Sequence, residues 1–414
     1  MMRTAVRTTL QRASLLIIAG GALTALFPSP AAAIPAWHRK YDVGCQTCHY
    51  PAPPRLNAYG HKFRRAQYRM ADEFNKMPDH KSVGDYVAMR VRGRYEFDDK
   101  EDGFPGGDTV TSGFKLNDAT LFYAGPIAKN FSAFVELERP GDEEIIEATV
   151  SIGGIRGKPD SFWTFRLGQF HTLTRVGYGG LDRPTGISTP NALSTALVSG
   201  NDFKLNQDQV GIEGTYVRKN QRFIGQVLNG SDILGTGTTD RADQNRDKDY
   251  LLAYELMWGD TASGLTAFAY DGTQIDPDVS TAPGEISMSR YGISAAQVWK
   301  NGFEVQGGFV VAKDDYKIDV AGVDSSDGRG YWVEVAKYWS KAHDFTLFGR
   351  YDSTDPDKDV DDNTRTQGTL GFVVPVADWH VRWALEYRTI KQEDTVTGDS
   401  FNEQQAVAEM MVNF

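Results

Sequence analysis

The chain has two cysteines, Cys45 and Cys48, and His49 follows them directly, which gives the pattern C-x-x-C-H. Two thiols at this spacing lie about one helical turn apart, so they can form thioethers with the two vinyl groups of one haem. The imidazole that follows then lies under the iron as the proximal ligand. A structural zinc site needs four ligands, and the chain has no further cysteine to supply them. The motif predicts one covalently bound c-type haem, with a plain disulfide as the main alternative.

A short helix is expected directly after the motif, over residues 54–70. Apolar side chains recur there at steps of three and four residues, as they do along one face of a helix: Leu56, Tyr59, Phe63, Ala66 and Met70. This face is expected to cover the haem plane. Met70 ends the stripe and is the first choice for the distal ligand, since a methionine opposite a histidine raises the reduction potential of the iron.

The distal ligand has other candidates. His61 is the alternative to Met70, and His80, Met77 and His38 come after it. Each candidate also has an ordinary explanation, because Met70 can simply fill a core and His61 can lie on a solvated face. The other side of the predicted helix is basic, and it can pair with haem propionates, pair with an acidic wall, or remain in solvent. It carries Arg55, Lys62, Arg64, Arg65 and Arg69.

The first residues have the pattern of a secretory signal peptide. Three arginines precede an apolar run at 13–27, and the small residues Ala31, Ala32 and Ala33 follow it. We therefore predict a signal peptide over 1–33, and an uncleaved anchor is the alternative. Removing its three arginines leaves 41 basic against 55 acidic residues, so the mature chain has a net charge of 41 − 55 = −14. Nucleic acid is not an expected partner of so acidic a chain.

From about residue 86 the pattern changes to alternation of apolar and polar side chains, which is typical of strands with two different faces. Late in the chain, for example, Trp379, Val381 and Trp383 alternate with His380 and Arg382. We count about sixteen such segments, most of them close to the roughly 9–11 residues that cross a bilayer when tilted. Short turns alternate with longer loops along this region, for example 98–113 and 314–328, as in bacterial outer-membrane barrels with both termini in the periplasm.

The predicted fold class is therefore all-β: a transmembrane antiparallel barrel of about sixteen strands over 86–414, preceded by a small helical haem domain over 34–85. Alternation alone also fits a soluble all-β protein with one buried face. The signal peptide, the order of the turns and the terminal Phe414, which resembles the assembly signal of outer-membrane proteins, favour the barrel.

A barrel of this size encloses an aqueous lumen, and the segment 34–85 is about long enough to plug it. The long loop 171–208 can also fold inward as a constriction or lie over the rim. The inner wall is expected to carry acidic side chains that suit the basic face of the predicted helix. These are Glu213, Glu255, Glu304, Glu386 and Glu409.

The combination of a C-x-x-C-H module and a porin-like barrel resembles the fused monohaem cytochrome-porins of bacterial outer membranes, of the iron-oxidase type. The local pattern after the motif is similar to that family at Pro54, Leu56, Asn57, Tyr59, Gly60, Phe63, Tyr68 and Met70. The chain differs from it at His61, where an arginine is expected, and at Ala66 and Gln67, where a glycine usually precedes the tyrosine.

The resemblance implies an electron-transfer protein that oxidises extracellular Fe(II) and passes the electron through one haem c to a periplasmic c-type cytochrome. Runs of acidic residues in the predicted outer loops, for example 98–102 and 355–362, would attract Fe(II), although they equally suit lipopolysaccharide and other divalent ions. Two alternatives stay open: outward electron transfer to an extracellular acceptor, and a diffusion porin whose haem domain is a plug or a sensor.

Overall fold

The computed structural model describes residues 35–79, 82–100, 109–139, 144–173, 181, 183–198, 201–230, 247–276, 284–320, 323–340, 344–360, 363–393 and 400–414. The predicted signal peptide and His80 lie outside these residues. No helix among the described residues is long and apolar enough to span a membrane.

Sixteen antiparallel strands form one closed barrel, in which each strand pairs with its neighbours in sequence and β1 pairs with β16. Each segment expected from the alternation corresponds to one of them. The strands are β1 Val87–Lys100, β2 Thr109–Ala128, β3 Phe131–Arg139, β4 Glu144–Lys158, β5 Ser161–His171, β6 Asp208–Arg218, β7 Gln221–Leu228, β8 Asp249–Trp258, β9 Ser263–Asp276, β10 Gly284–Val298, β11 Phe303–Val320, β12 Val323–Ser340, β13 Asp344–Asp355, β14 Arg365–Val376, β15 Val381–Glu393 and β16 Ser400–Asn413.

Connections of two kinds distinguish the two ends of the barrel. Short turns such as 219–220 and 377–380 close one end, which we call the short-turn end, and the connection 172–207 leaves the other, the long-loop end. Two segments at the long-loop end, 98–113 and 314–328, differ from the prediction that they are loops. Much of both segments is strand, because β1 and β2, and likewise β11 and β12, continue to pair beyond the expected limits. The register of the second pair shifts between Asp315 and Val320.

The alternation along the strands divides the wall into two faces, as predicted. On β15 the inward-facing Arg382, Ala384 and Glu386 are buried, and Tyr387 on the other face is 42% exposed. All five glutamates predicted for the inner wall are buried at inward positions. A polar, charged interior and an apolar, aromatic exterior are the arrangement expected of a barrel in a bilayer.

The chain has three α-helices among its described residues: α1 Pro35–Tyr41, α2 Ala58–Arg65 and α3 Asn191–Ser194. The helix expected over 54–70 is therefore wrong in its limits. Asn57 sets the start, because its side chain accepts hydrogen bonds from the backbone N–H groups of Tyr59 and Gly60. The helix ends at Arg65 because Gln67 and Tyr68 adopt positive φ angles of 59° and 60°.

The described residues of the connection between β5 and β6 fold into the lumen, as one of the two expectations held. Its apolar side chains Leu193, Leu197, Phe203 and Leu205 are buried in one cluster with Trp332 and other wall residues. Helix α3 lies in this segment and contacts β12 and β13. We call residues 183–198 and 201–207 the inward loop.

Candidate functional site

The cysteine motif begins with a 3₁₀ turn at Cys45–Thr47. The backbone N–H groups of Cys48 and His49 both donate to the carbonyl of Cys45, at 3.0 and 2.9 Å. The two cysteines are free thiols and not a disulfide. Burial raises the pKa of Cys45 to about 12 and that of Cys48 to about 11, so both thiols stay protonated at neutral pH. Such thiols lack the lowered pKa of reactive redox cysteines.

The ring of His49 is oriented by backbone carbonyl groups. Its Nδ1 lies 3.2 Å from the carbonyl oxygen of Pro54 and 3.3 Å from that of Arg55. Because a carbonyl oxygen only accepts, Nδ1 carries the hydrogen and Nε2 is the basic nitrogen of the ring. A histidine that ligates a metal generally donates its other ring N–H in this way.

Helix α2 is held close to the motif by Asn57 and Gly60. The Asn57 amide donates to the carbonyls of Gln46 and Thr47, both at 3.0 Å. A Cβ on Gly60 would collide with the carbonyl oxygen of Cys48, so only glycine permits this approach. Two residues that carry the family resemblance thus have a direct physical role in shaping the motif.

A cavity of about 370 Å³ adjoins the motif, and Cys45, Cys48 and His49 all line it. This volume lies within the ~300–1,000 Å³ that small-molecule and cofactor sites occupy. The cavity runs from residues at the short-turn end, such as Asn413, to His171 at the long-loop end of β5. Both cysteine side chains and the imidazole of His49 therefore line one cavity whose volume suits a cofactor.

Apolar rings form much of the cavity lining. Trp37 stacks on Tyr68 with 5.2 Å between ring centroids, and Tyr68 stacks on Phe134 at 5.0 Å. Phe63 meets Trp37 edge to face at 5.2 Å. Of the apolar stripe expected over 54–70, Leu56 and Phe63 line the cavity, and Tyr59, Ala66 and Met70 do not. A lining of this kind suits the faces of a flat, apolar macrocycle.

Five arginines also line the cavity: Arg64, Arg90, Arg92, Arg183 and Arg382. Guanidinium groups bind carboxylates well, so they suit the two propionates of a haem. Several of these arginines also pair with carboxylates of the barrel wall. Arg90 on β1, for example, donates to Asp118 at 3.1 Å. The thiols, the imidazole, the rings and the cations together fit a c-type haem.

Two of the five basic residues after the motif pair with the acidic wall, as one of the three expectations held, and Lys62 is exposed to solvent as another held. Arg55 pairs with Glu304, and Arg65 pairs with Glu255 at 2.8 Å, with all four side chains buried. Arg69 instead donates to backbone carbonyls and Ser132, including the carbonyl of Phe131 at 2.6 Å. We call residues 35–79 the plug, because their side chains contact inward-facing residues of the barrel.

The candidates for the distal ligand lie in different places. Met70 lies outside the cavity lining, where its Sδ accepts a hydrogen bond from the Tyr59 hydroxyl at 2.8 Å. His61 is buried beside Arg64, also outside the lining. Met77 is 70% exposed. His38 is the candidate that lines the cavity together with the cysteines.

The sequence analysis did not identify the part of the site that the wall supplies. Arg90, Arg92 and Met411 lie on β1 and β16 and line the cavity beside the motif. Their inward orientation could be read from the alternation. Their proximity to Cys45 could not, because it depends on how the plug sits within the barrel.

No family model and no curated protein matches the chain. The structure is similar to three solved outer-membrane proteins, each over about four fifths of this chain. The anion-selective porin from Comamonas acidovorans superposes with a TM-score of 0.54 at 16% identity, covering 79% of this chain and 98% of the porin. OprB from Pseudomonas putida gives a TM-score of 0.54 at 9% identity, covering 79% and 94%. The DcaP channel from Acinetobacter baumannii gives a TM-score of 0.50 at 13% identity, covering 79% of this chain and 96% of the channel.

These similarities show the fold. The chain has a closed, antiparallel barrel of sixteen strands like those of porins, and this is an outer-membrane type of barrel. The plug and the cysteine motif are features of this chain's own sequence, and their function has to be argued from the site.

Proposed function

We propose that the chain is an outer-membrane electron-transfer protein that holds one haem c through Cys45, Cys48 and His49. The single observation that carries this proposal is the shared cavity, which both thiols and the carbonyl-oriented imidazole of His49 face. When bound there, haem c supplies a one-electron redox centre between the two ends of the barrel. The chain's own residues attach it, shield it with aromatic rings, and offer guanidinium groups to its propionates.

In the direction we propose, extracellular Fe(II) loses one electron and becomes Fe(III), and a periplasmic c-type cytochrome gains that electron. The short-turn end and both termini then face the periplasm, as in porin-like barrels. The attachment site supports this direction of contact, because the Sγ of Cys45 lies 3.4 Å from the carbonyl oxygen of Asp378, in a short turn. A periplasmic partner docked at that end comes close to the cofactor.

The diffusion porin with a haem-containing plug or sensor is the second candidate, and the comparisons by themselves favour it. The porins from Comamonas acidovorans and Pseudomonas putida match the barrel over 98% and 94% of their own chains. The position of the plug favours electron transfer instead, since Arg55 and Arg65 are held to the wall by buried ion pairs.

The test is to purify the full chain from outer membranes, measure its haem content by pyridine haemochrome and intact mass, and add Fe(II) anaerobically. We expect one covalent haem per chain and its reduction by Fe(II). The matched control is the double variant Cys45→Ser/Cys48→Ser, which keeps the barrel and loses the haem. A wild-type chain without haem, or a haem that Fe(II) does not reduce, overturns the proposal.

Planar-bilayer conductance separates the two candidates. An electron-transfer protein with a fixed plug is expected to show little solute conductance at neutral pH. Large, stable channels in the haem-loaded wild-type protein would establish the diffusion porin. A strongly negative midpoint potential together with reduction of an extracellular acceptor would instead reverse the direction of electron flow.

A further inference from the structure

We propose that His38 is the second axial ligand of the haem attached at Cys45 and Cys48, opposite His49. This inference rests on the proposed function and deepens it, because it names the residue that completes the iron's coordination. The first observation is position: His38 lies on α1, seven residues before Cys45, and lines the same cavity as His49.

The second observation is the orientation of the His38 ring. Its Nδ1 lies 2.7 Å from the carbonyl oxygen of Val43. Since that oxygen can only accept, Nδ1 carries the hydrogen and Nε2 is the basic nitrogen. His49 is held in the same tautomer by Pro54 and Arg55. Both rings thus show the hydrogen bonding that fixes and strengthens an imidazole as a metal ligand.

The third observation is that α1 is fixed in place beside the cavity. The indole N–H of Trp37 donates to the carbonyl of Ala124 at 3.2 Å. Arg39 donates to the carbonyls of Gly84 and Val87 at 2.8 and 2.9 Å. His38 lies between these two anchored residues. A ligand held by its neighbours in this way loses little conformational entropy when it binds iron.

Other side chains of suitable chemistry are less well placed. His380, in the short turn 377–380, lies outside the cavity lining. His171 lines the cavity at the opposite end from the cysteines, and its Nδ1 lies 2.5 Å from Asp208 Oδ1. Met411 lines the cavity from β16, and no polar group orients its thioether among the described contacts. Met70 points its sulfur at Tyr59 instead of the cavity.

The proposed ligand set has a consequence for the redox chemistry. A thioether opposite a histidine raises the potential of a haem iron relative to a second imidazole. Ligation by His38 and His49 therefore gives a lower potential than ligation by Met70 and His49. A lower potential makes the reduced haem a better electron donor to the next cytochrome and the oxidised haem a weaker electron acceptor from Fe(II).

The experiment uses magnetic circular dichroism in the near infrared and EPR on the oxidised, full-length protein, because both distinguish two imidazoles from an imidazole and a thioether. We expect a low-spin, bis-imidazole signature in the wild type. His38→Ala should convert most of the haem to high spin, and added imidazole should restore the low-spin form. His38→Met should give a thioether signature and a higher midpoint potential.

Met70→Leu and Met411→Leu are the matched controls, and both should keep the wild-type spectrum. An unchanged spectrum in His38→Ala, or a thioether signature in the wild type that either control removes, overturns the inference and leaves the proposed function standing. A wild-type chain without covalent haem overturns the proposed function itself, so the two failures are distinguishable. Heat-modifiable migration on gels verifies that each variant has a folded barrel.

Discussion

The plug and the inward loop both lie in the lumen against buried carboxylates, but they balance those carboxylates differently. The plug brings cations, for Arg55 reaches Glu304 and Arg65 reaches Glu255. The inward loop brings mainly neutral donors: the N–H and hydroxyl of Ser188 bind Glu386 at 3.0 and 2.7 Å.

The wall itself supplies the cations that oppose the carboxylates under the inward loop. Glu386 pairs with Arg388 at 2.7 Å, and Asp352, which accepts from Asn191 of α3, pairs with Arg350 at 2.7 Å. Glu304 has Arg55 and the Tyr338 hydroxyl as its partners. The carboxylates under the inward loop are thus neutralised by arginines of the wall itself. In contrast, Glu304 beside the plug depends on Arg55 of the plug for a positive partner.

The largest expected effect follows from removing the cation that the plug supplies. Arg55→Met leaves Glu304 buried without its guanidinium partner, which typically costs about 3–5 kcal/mol. We expect the free energy of unfolding, measured by urea titration in detergent micelles, to fall by that order. The double variant Arg55→Met/Glu304→Gln should recover most of the loss. A double variant as unstable as the single one would contradict the charge balance described here.

A matched pair of glycine variants sharpens the comparison between the two segments. Gly60→Ala places a Cβ against the backbone carbonyl of Cys48, and Gly330→Ala places one against the side chains of Ala192 and Leu197 in the inward loop. Backbone cannot move aside as a side chain can, so Gly60→Ala should lower the haem content per barrel several-fold. Gly330 lies outside the cavity lining, so Gly330→Ala should leave the haem content unchanged. Equal haem loss in both variants, measured by pyridine haemochrome, would mean that the effect comes from the barrel as a whole.

A smaller effect is expected from the inward loop. Thr185→Val removes the hydroxyl that donates to Glu334, which still has Gln306 at 2.6 Å and Arg350 at 3.6 Å. One lost hydrogen bond of this kind costs about 1–3 kcal/mol. Urea unfolding should therefore show a smaller loss than in Arg55→Met. A loss as large as that of Arg55→Met would show that the loop carries charge balance too.

The smallest effect concerns pH. Burial, and after it the charges of Arg64 and Arg65, lower the pKa of His61 well below 6.5. Below about pH 6.5 the His61 imidazole binds a proton in the unfolded chain but stays neutral in the folded plug. The free energy of unfolding therefore falls as the pH drops through and below that value. One such proton costs at most about 1.4 kcal/mol per pH unit. His61→Gln should flatten the dependence between pH 6.5 and 5; an unchanged slope would assign it to other groups.

The barrel could be predicted from the sequence because alternation of apolar and polar residues at period two indicates which face of each strand lies in apolar surroundings. The sixteen strands and the inward glutamates followed from that pattern. The ion pairs of Arg55 and Arg65 realise one of three possibilities for the basic side chains, and the sequence did not assign their partners. The ends of β11 and β12 did not, since both strands continue into polar stretches such as Asp314 and Asp315 where hydrophobicity gives no signal. Helix α2 is shorter than its apolar stripe because Asn57 and Gln67 limit it through local backbone chemistry.

The site was predictable to the extent that it is local in sequence. Cys45, Cys48 and His49 lie together because they are adjacent in the chain. Which of Met70 and His38 reaches the cavity beside Cys45 depends on how α1 and α2 pack against the wall, which no spacing reveals. The sequence therefore favours Met70, whereas the position of the cavity favours His38, and the variants above distinguish the two.

The closure of the barrel between β1 and β16 has a consequence for the order of assembly. The cavity is walled on both sides of this seam, by Ala88 and Arg90 on β1 and by Met411 and Asn413 on β16. Because β1 and β16 are the first and last strands of the barrel, this seam forms only when all sixteen strands are available to pair. Under the proposed function, the pairing of these two strands encloses the group that Cys45 holds, so we expect attachment of haem c to precede closure of the seam.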